Sequence, residues 1–146
     1  MPHHNLTAKL SELAEMLHAL NCSCVISTDG KTTVCRDRGV SDLFRILRDT
    51  PELLENASVA DKVIGKGAAA LMALGKVKEV YADVISRPAL DLLISTDISV
   101  AYGECVPNIV NRTRTGLCPV ETLCMEASTP AECLPLIADF INRTNN

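Results

Sequence analysis

Leucines at positions 6, 10, 13, 17 and 20 recur at alternating steps of four and three. That spacing draws one apolar stripe along an amphipathic helix from about Asn5 to Leu20. The pattern then changes. Cys22 to Thr28 and Lys31 to Arg36 read as two antiparallel strands around Asp29-Gly30, the dipeptide most specific for a tight hairpin. A charged loop, Arg36-Asp37-Arg38-Gly39, leads to a short helix from about Ser41, with Leu43, Phe44 and Leu47 on one side. Thr50-Pro51-Glu52 starts another turn, with Thr as the cap and Pro at the first helical position.

The next stretch, Ser58 to Gly75, organises the rest of the chain, and its pattern predicts a single helix. Ser58 followed by Asp61 resembles a capping box, and Gly75 suits a helix stop. Gly65 and Gly67 fall inside it, at a cost of about 1 kcal/mol each relative to Ala. Ala68, Ala69, Ala70 and Ala73 continue the run of small residues, so either another element or a ligand packs closely there.

Val77 to Ile85 is apolar on both faces, as a covered central strand should be. Ser86-Arg87-Pro88 ends it and opens a helix carrying Leu90, Leu92 and Leu93. Ile98 to Val106 is the next strand, and a polar, basic segment follows from Asn108 to Gly116. Cys118-Pro119-Val120-Glu121 opens a helix to about Ala127. A last helix, capped by Ser128 or Thr129 before Pro130, runs to a polar tail at 142–146.

Strands alternating with helices predict crossover connections, a mainly parallel region and helices on both faces. The expected architecture is one domain over 1–146, an α/β/α three-layer sandwich with a mixed sheet of four or five strands. In open sheets of this kind ligands bind beyond the strand carboxyl ends, where helix N-termini gather. Three segments are expected there: the start of the Gly-rich helix, Ser86-Arg87-Pro88, and Cys118-Pro119-Val120-Glu121.

A length of 146 residues lets a domain bury about 70% of its unfolded surface, enough for a core without disulfides or metal. With 3% aromatic residues and no Trp, that core must be aliphatic. The net charge of −4 argues against general nucleic-acid binding. No export signal and no membrane-length apolar run is visible. Seven cysteines without a C-x-x-C pair read as reduced thiols packed as small hydrophobes, which suits a reducing cytoplasm. His3, His4 and His18 read as a terminus and a helix surface rather than a metal site.

Ala60-Asp61-Lys62-Val63-Ile64-Gly65-Lys66-Gly67-Ala68-Ala69, with Asn111-Arg112 and Cys118-Pro119-x-Glu121, resemble the uncharacterised prokaryotic domain-of-unknown-function 1893 family, assigned to a cytidine-deaminase-like fold. The resemblance runs from about Cys24 to Met125. It implies a deaminase-like fold, yet the zinc chemistry of deaminases has no support in these residues. Such enzymes carry His-x-Glu on one helix and Pro-Cys-x-x-Cys on another. Here the corresponding stretches read Gly65-Lys66-Gly67-Ala68 and Ser86-Arg87-Pro88-Ala89.

The expected site is therefore metal-free and without a cofactor. Asp61, Lys62, Gly65, Gly67, Ser86, Asn111 and Arg112 are its candidate ligand-binding residues, and Lys66, Cys118 and Glu121 its candidate catalytic ones. Lys66 would place a cation near the position of a deaminase's zinc, and the glycines would let an anionic group approach backbone. Cys118 at a helix start gains thiolate character from the dipole, with Glu121 nearby. Arg112 and Arg114 suit phosphate or carboxylate. Three readings follow. One is binding of a nucleotide or nucleoside-like molecule; another is a metal-free enzyme using Cys118 or Lys66 on a small carbonyl or amidine. The third is an inactive deaminase-like interaction or regulatory protein. A homodimer is compatible with all three.

Overall fold

The computed structural model describes residues 6–36, 40–109 and 119–144. The first helix, α1 (Ala8–Leu20), is capped by the Thr7 hydroxyl, which accepts from the Leu10 N–H. Its stripe works as the spacing predicts: Leu10, Leu13 and Leu17 are buried, while Leu6 and Leu20 at the ends stay partly exposed. A hairpin follows, β1 (Cys24–Thr28) and β2 (Lys31–Cys35). Its turn places Asp29 at φ 49° and Gly30 at φ 79°, the left-handed pair that a two-residue turn needs. Then come α2 (Ser41–Asp49), a single 3₁₀ turn at Pro51–Leu53, and β3 (Ser58–Ile64).

The expected helix over Ser58 to Gly75 is in fact a strand, a one-residue break and a helix. Ser58–Ile64 form β3, Gly65 is the extended N-cap, and α3 covers Lys66–Leu74. Propensity alone misplaced the boundary because β3 owes its stability to neighbours on both sides. It pairs antiparallel with β1 and parallel with β4 (Glu79–Ser86), and Val59, Ala60 and Ile64 are fully buried. The apparent capping box is also replaced. Ser58 donates its hydroxyl to buried Glu79 at 2.6 Å, and Asp61 accepts from the Val63 N–H at 3.3 Å within the strand. Gly75 ends α3 in ordinary right-handed backbone, and Lys76 takes the left-handed residue at φ 65°. A side chain at Gly75 would meet Leu54 at 2.7 Å, so packing is the reason for that glycine.

The chain continues through α4 (Arg87–Ser95), β5 (Ser99–Val106), α5 (Pro119–Cys124) and α6 (Pro130–Thr144). The start of α6 is a true capping box. Thr129 accepts from the Glu132 N–H, and the Glu132 carboxylate accepts from the Ser128 and Thr129 N–H groups. The helix continues past Asn142 to Thr144, with an Asp139–Arg143 pair on its last turns.

The five strands form one mixed sheet in the order β2-β1-β3-β4-β5, with β3, β4 and β5 parallel. Among the described residues helix α1 alone covers one face, where Leu10, Leu13 and Leu17 pack on Val25, Ala60, Tyr81 and Ala101. Helices α2 to α6 and the opposite side chains of the sheet build the larger core, an aliphatic one as the composition demands. The architecture is an α/β sandwich. Its parallel half sends three strand exits toward the same end, and those exits position the candidate site.

Candidate functional site at the strand carboxyl ends

The Glu121 carboxylate lies where the three parallel strands end. One oxygen accepts from the backbone N–H of Lys66, just after β3, at 2.8 Å. The same oxygen accepts from the Ser86 hydroxyl, the last residue of β4, at 2.7 Å. The second oxygen accepts from the backbone N–H of Ile109, beyond β5. Glu121 is 1% exposed and Ser86 fully buried. A carboxylate out of water needs such donors, because an unsatisfied buried charge is expensive. Two of the donors also belong to helix starts, where backbone N–H groups and the helix dipole favour negative charge. Ser86 serves both ends: its oxygen accepts from the Ala89 N–H as the cap of α4 while its proton goes to Glu121.

The glycines give Glu121 access to this position. A Cβ on Gly67 would sit 2.3 Å from Val120 Cγ1, so only glycine lets α5 pack against the first turn of α3. A Cβ on Gly65 would press on Glu121 and on Ile109, both at 3.3 Å. The close approach that the small residues announce is thus made by the protein's own α5.

Lys66 points elsewhere. Its ammonium donates to the carbonyl oxygens of Met125 at 3.1 Å and Ala127 at 2.7 Å, capping the chain as it leaves α5. Lys62 donates to the Asn21 side chain at 2.6 Å. Of the expected site residues, then, Gly65, Lys66, Gly67, Ser86 and Glu121 come together, and Lys62 and Asp61 lie apart from them along β3. Asn111, Arg112, Arg114 and Cys118 lie outside the described residues.

Asp61 has a different environment. It sits opposite Cys24 of β1, 8% exposed, with its carboxylate accepting from the Val63 N–H at 3.3 Å. Burial raises its pKa to about 7; the backbone N–H groups of Val63 and Lys62 pull it down, and nearby Asp83 pushes it further up. Asp83 itself accepts from the Tyr81 hydroxyl at 2.8 Å and meets His18 Nε2 of α1 at 2.8 Å. Nothing in the spacing of His18 announced this contact, which depends on α1 crossing β4.

Among the described residues no group of three His, Cys, Asp or Glu side chains could hold a metal ion. No helix among the described residues is long and apolar enough to cross a membrane.

The fold and this strand-end knot define an α/β protein with a carboxylate-centred site formed between helix starts. The chain belongs to the DUF1893 family, a domain of unknown function whose family model matches residues 12–141. It is similar in structure to a DUF1893 family protein from Thermotoga maritima, at 26% identity and a TM-score of 0.82. That match covers 95% of this chain and 94% of the other. No curated protein matches.

Proposed function

We propose that this chain is a metal-free, cytidine-deaminase-like domain that binds a nucleoside-like or nucleotide ligand over the carboxyl ends of β3, β4 and β5. The observation that carries this reading is the gathering of three strand exits and two helix starts around one point. In parallel sheets that is the end at which ligands bind. Glu121 already holds the charge-complementary position, so an inorganic phosphate would have to displace it. A neutral base or sugar resting above the knot fits better, with Asn111 and Arg112 contributing to any phosphate attached. In this reading Glu121, Lys66 and Ser86 are framework, and Asp61 and Lys62 stand to one side.

A thermal-shift panel of bases, nucleosides and nucleotides tests this. A ligand at 100 times its Kd stabilises by about 2.7 kcal/mol. A rise in Tm with nucleosides, larger with nucleotides and reduced to the nucleoside level by Arg112→Ala, supports the reading. A flat panel removes it.

The internal satisfaction of Glu121, Ser86 and Lys66 favours a second reading, an inert deaminase-like domain used for interaction or regulation. A flat panel is the result it expects. The covalent-enzyme reading keeps only Cys118 as nucleophile, because the Lys66 ammonium is committed to two carbonyls. Iodoacetamide labelling of Cys118 in the native protein at neutral pH is its test, and labelling only after denaturation would eliminate it.

A further inference from the structure

A second cluster lies away from the strand-end knot, on the hairpin side of the sheet. Cys24 and Cys35 are direct partners across β1 and β2, and Asp61 is the partner of Cys24 on the other side, in β3. Both side chains lie on the same face of the sheet, in one buried core cluster. Directly opposed residues of an antiparallel pair have Cα atoms about 4.5–5.5 Å apart, inside the range of about 4.4–6.8 Å that a disulfide spans. Their Cβ atoms normally stand about 4.5–5.5 Å apart, slightly wider than a relaxed disulfide, so the bond would form under mild strain and remain reducible.

We propose that Cys24 and Cys35 are a redox site, closed by hydroperoxides into a reversible cross-strand disulfide, with Asp61 as the proton acceptor for Cys24. The proposal is independent of the ligand reading above. Its two thiols differ in position. Cys35 ends the edge strand, where an oxidant can reach it, whereas Cys24 lies on the inner strand with Asp61 as its partner in β3. Cys35 is therefore the attacking sulfur and Cys24 the resolving one.

In the first step the Cys35 thiolate bonds to a peroxide oxygen, the O–O bond breaks, and the leaving hydroxide (or alkoxide) takes a proton. In the second, Cys24 gives its proton to Asp61 and bonds to the sulfenic sulfur. The S–O bond breaks and water departs with the returning proton. Two thiols are oxidised and one hydroperoxide reduced. Both sulfurs are buried, at 4% and 3% exposure, but Cys35 is the last residue of the edge strand, and exposed Arg36 follows it. An edge strand opens at the smallest cost, which gives a small oxidant its entry.

A second pair of buried cysteines, Cys124 and Cys133 in the same core, supplies an internal control. Burial pushes Cys124 up to about 12 and raises Cys133 as well, so neither offers a thiolate.

The test treats the full-length, reduced protein with hydrogen peroxide, blocks remaining thiols under denaturing conditions, and maps the peptides. The expected product is a crosslink joining Cys24 to Cys35, a mass lower by two hydrogens, and full recovery of both thiols with dithiothreitol. Cys24→Ala should instead leave Cys35 as sulfenic acid, trapped by dimedone. Asp61→Asn should slow disulfide closure without slowing sulfenic acid formation. Wild-type protein whose Cys24 and Cys35 both remain alkylatable, or whose crosslink joins Cys124 to Cys133, would overturn the proposal.

Discussion

Of the four carboxylates buried among the described residues, the fold treats two, Glu121 and Asp61, in opposite ways. Glu121 receives three donors from three separate parts of the chain, one of them a hydroxyl that also caps a helix. Among the described residues Asp61 receives one hydrogen bond, from the backbone N–H of Val63, with another aspartate nearby. A buried carboxylate surrounded by donors becomes a clamp, because its charge is what holds the donors together. One buried without them is held near neutrality, with a pKa of about 7. Burial is common to both; what separates them is how many elements converge on each. Glu121, which looks catalytic in sequence, is held by donors of the protein itself, and Asp61 is the side chain to which we assign proton transfer.

The largest effect should come from unmaking the clamp. Glu121→Ala orphans two N–H groups and a hydroxyl at once and should cost about 3–4 kcal/mol in urea unfolding. Glu121→Gln keeps the shape, loses the charge, and should cost about half as much. If the alanine variant unfolds within about 1 kcal/mol of wild type, water replaces the carboxylate easily and the contrast with Asp61 fails.

Much of this fold is legible in the sequence. The leucine stripe of α1, the Asp29-Gly30 hairpin, β4, β5 and the Pro-led starts of α5 and α6 stand where local pattern puts them. The miss at β3 is instructive. Ser58-Val-Ala-Asp-Lys-Val-Ile is short, half polar and joined to an alanine-rich helix by a single glycine. What makes it a strand is pairing with β1 and β4, a non-local cause that no window over the sequence contains. The site was half legible for the same reason. Glycines at 65 and 67 mark a close approach, but whether the approaching group is a ligand or Val120 and Glu121 depends on how α5 folds back. The pairing of Cys24 with Cys35 follows from the hairpin register, given the turn at Asp29-Gly30.

A smaller effect, and a sharper one, concerns pH. With a folded-state pKa of about 7 against 3.8 unfolded, Asp61 takes up a proton more readily in the fold. Below the lower value both states are protonated and the contribution to stability is complete. Between about pH 4 and pH 7 the unfolded chain ionises first, so stability falls by roughly 4 kcal/mol and then levels off. Asp61→Asn should remove that slope and leave the variant more stable than wild type above neutrality. Parallel pH profiles of wild type and variant would contradict the assignment.

The smallest effect decides why Asp61 titrates where it does. Burial is the leading cause, and the charge of Asp83 is the last and least. Asp83→Asn should therefore lower the midpoint of Asp61, followed by the NMR shift of its carboxyl carbon, by only a fraction of a pH unit. Tyr81, held up at about 12 by burial and then by its bond to Asp83, should fall with it. Global stability should change by less than about 1 kcal/mol, because the lost contact to His18 is largely solvent-exposed. A fall of the Asp61 midpoint to the ordinary range of an aspartate would mean that a neighbouring charge, rather than missing donors, sets it. The two carboxylates would then differ in their neighbours, and the rule drawn from them would not transfer.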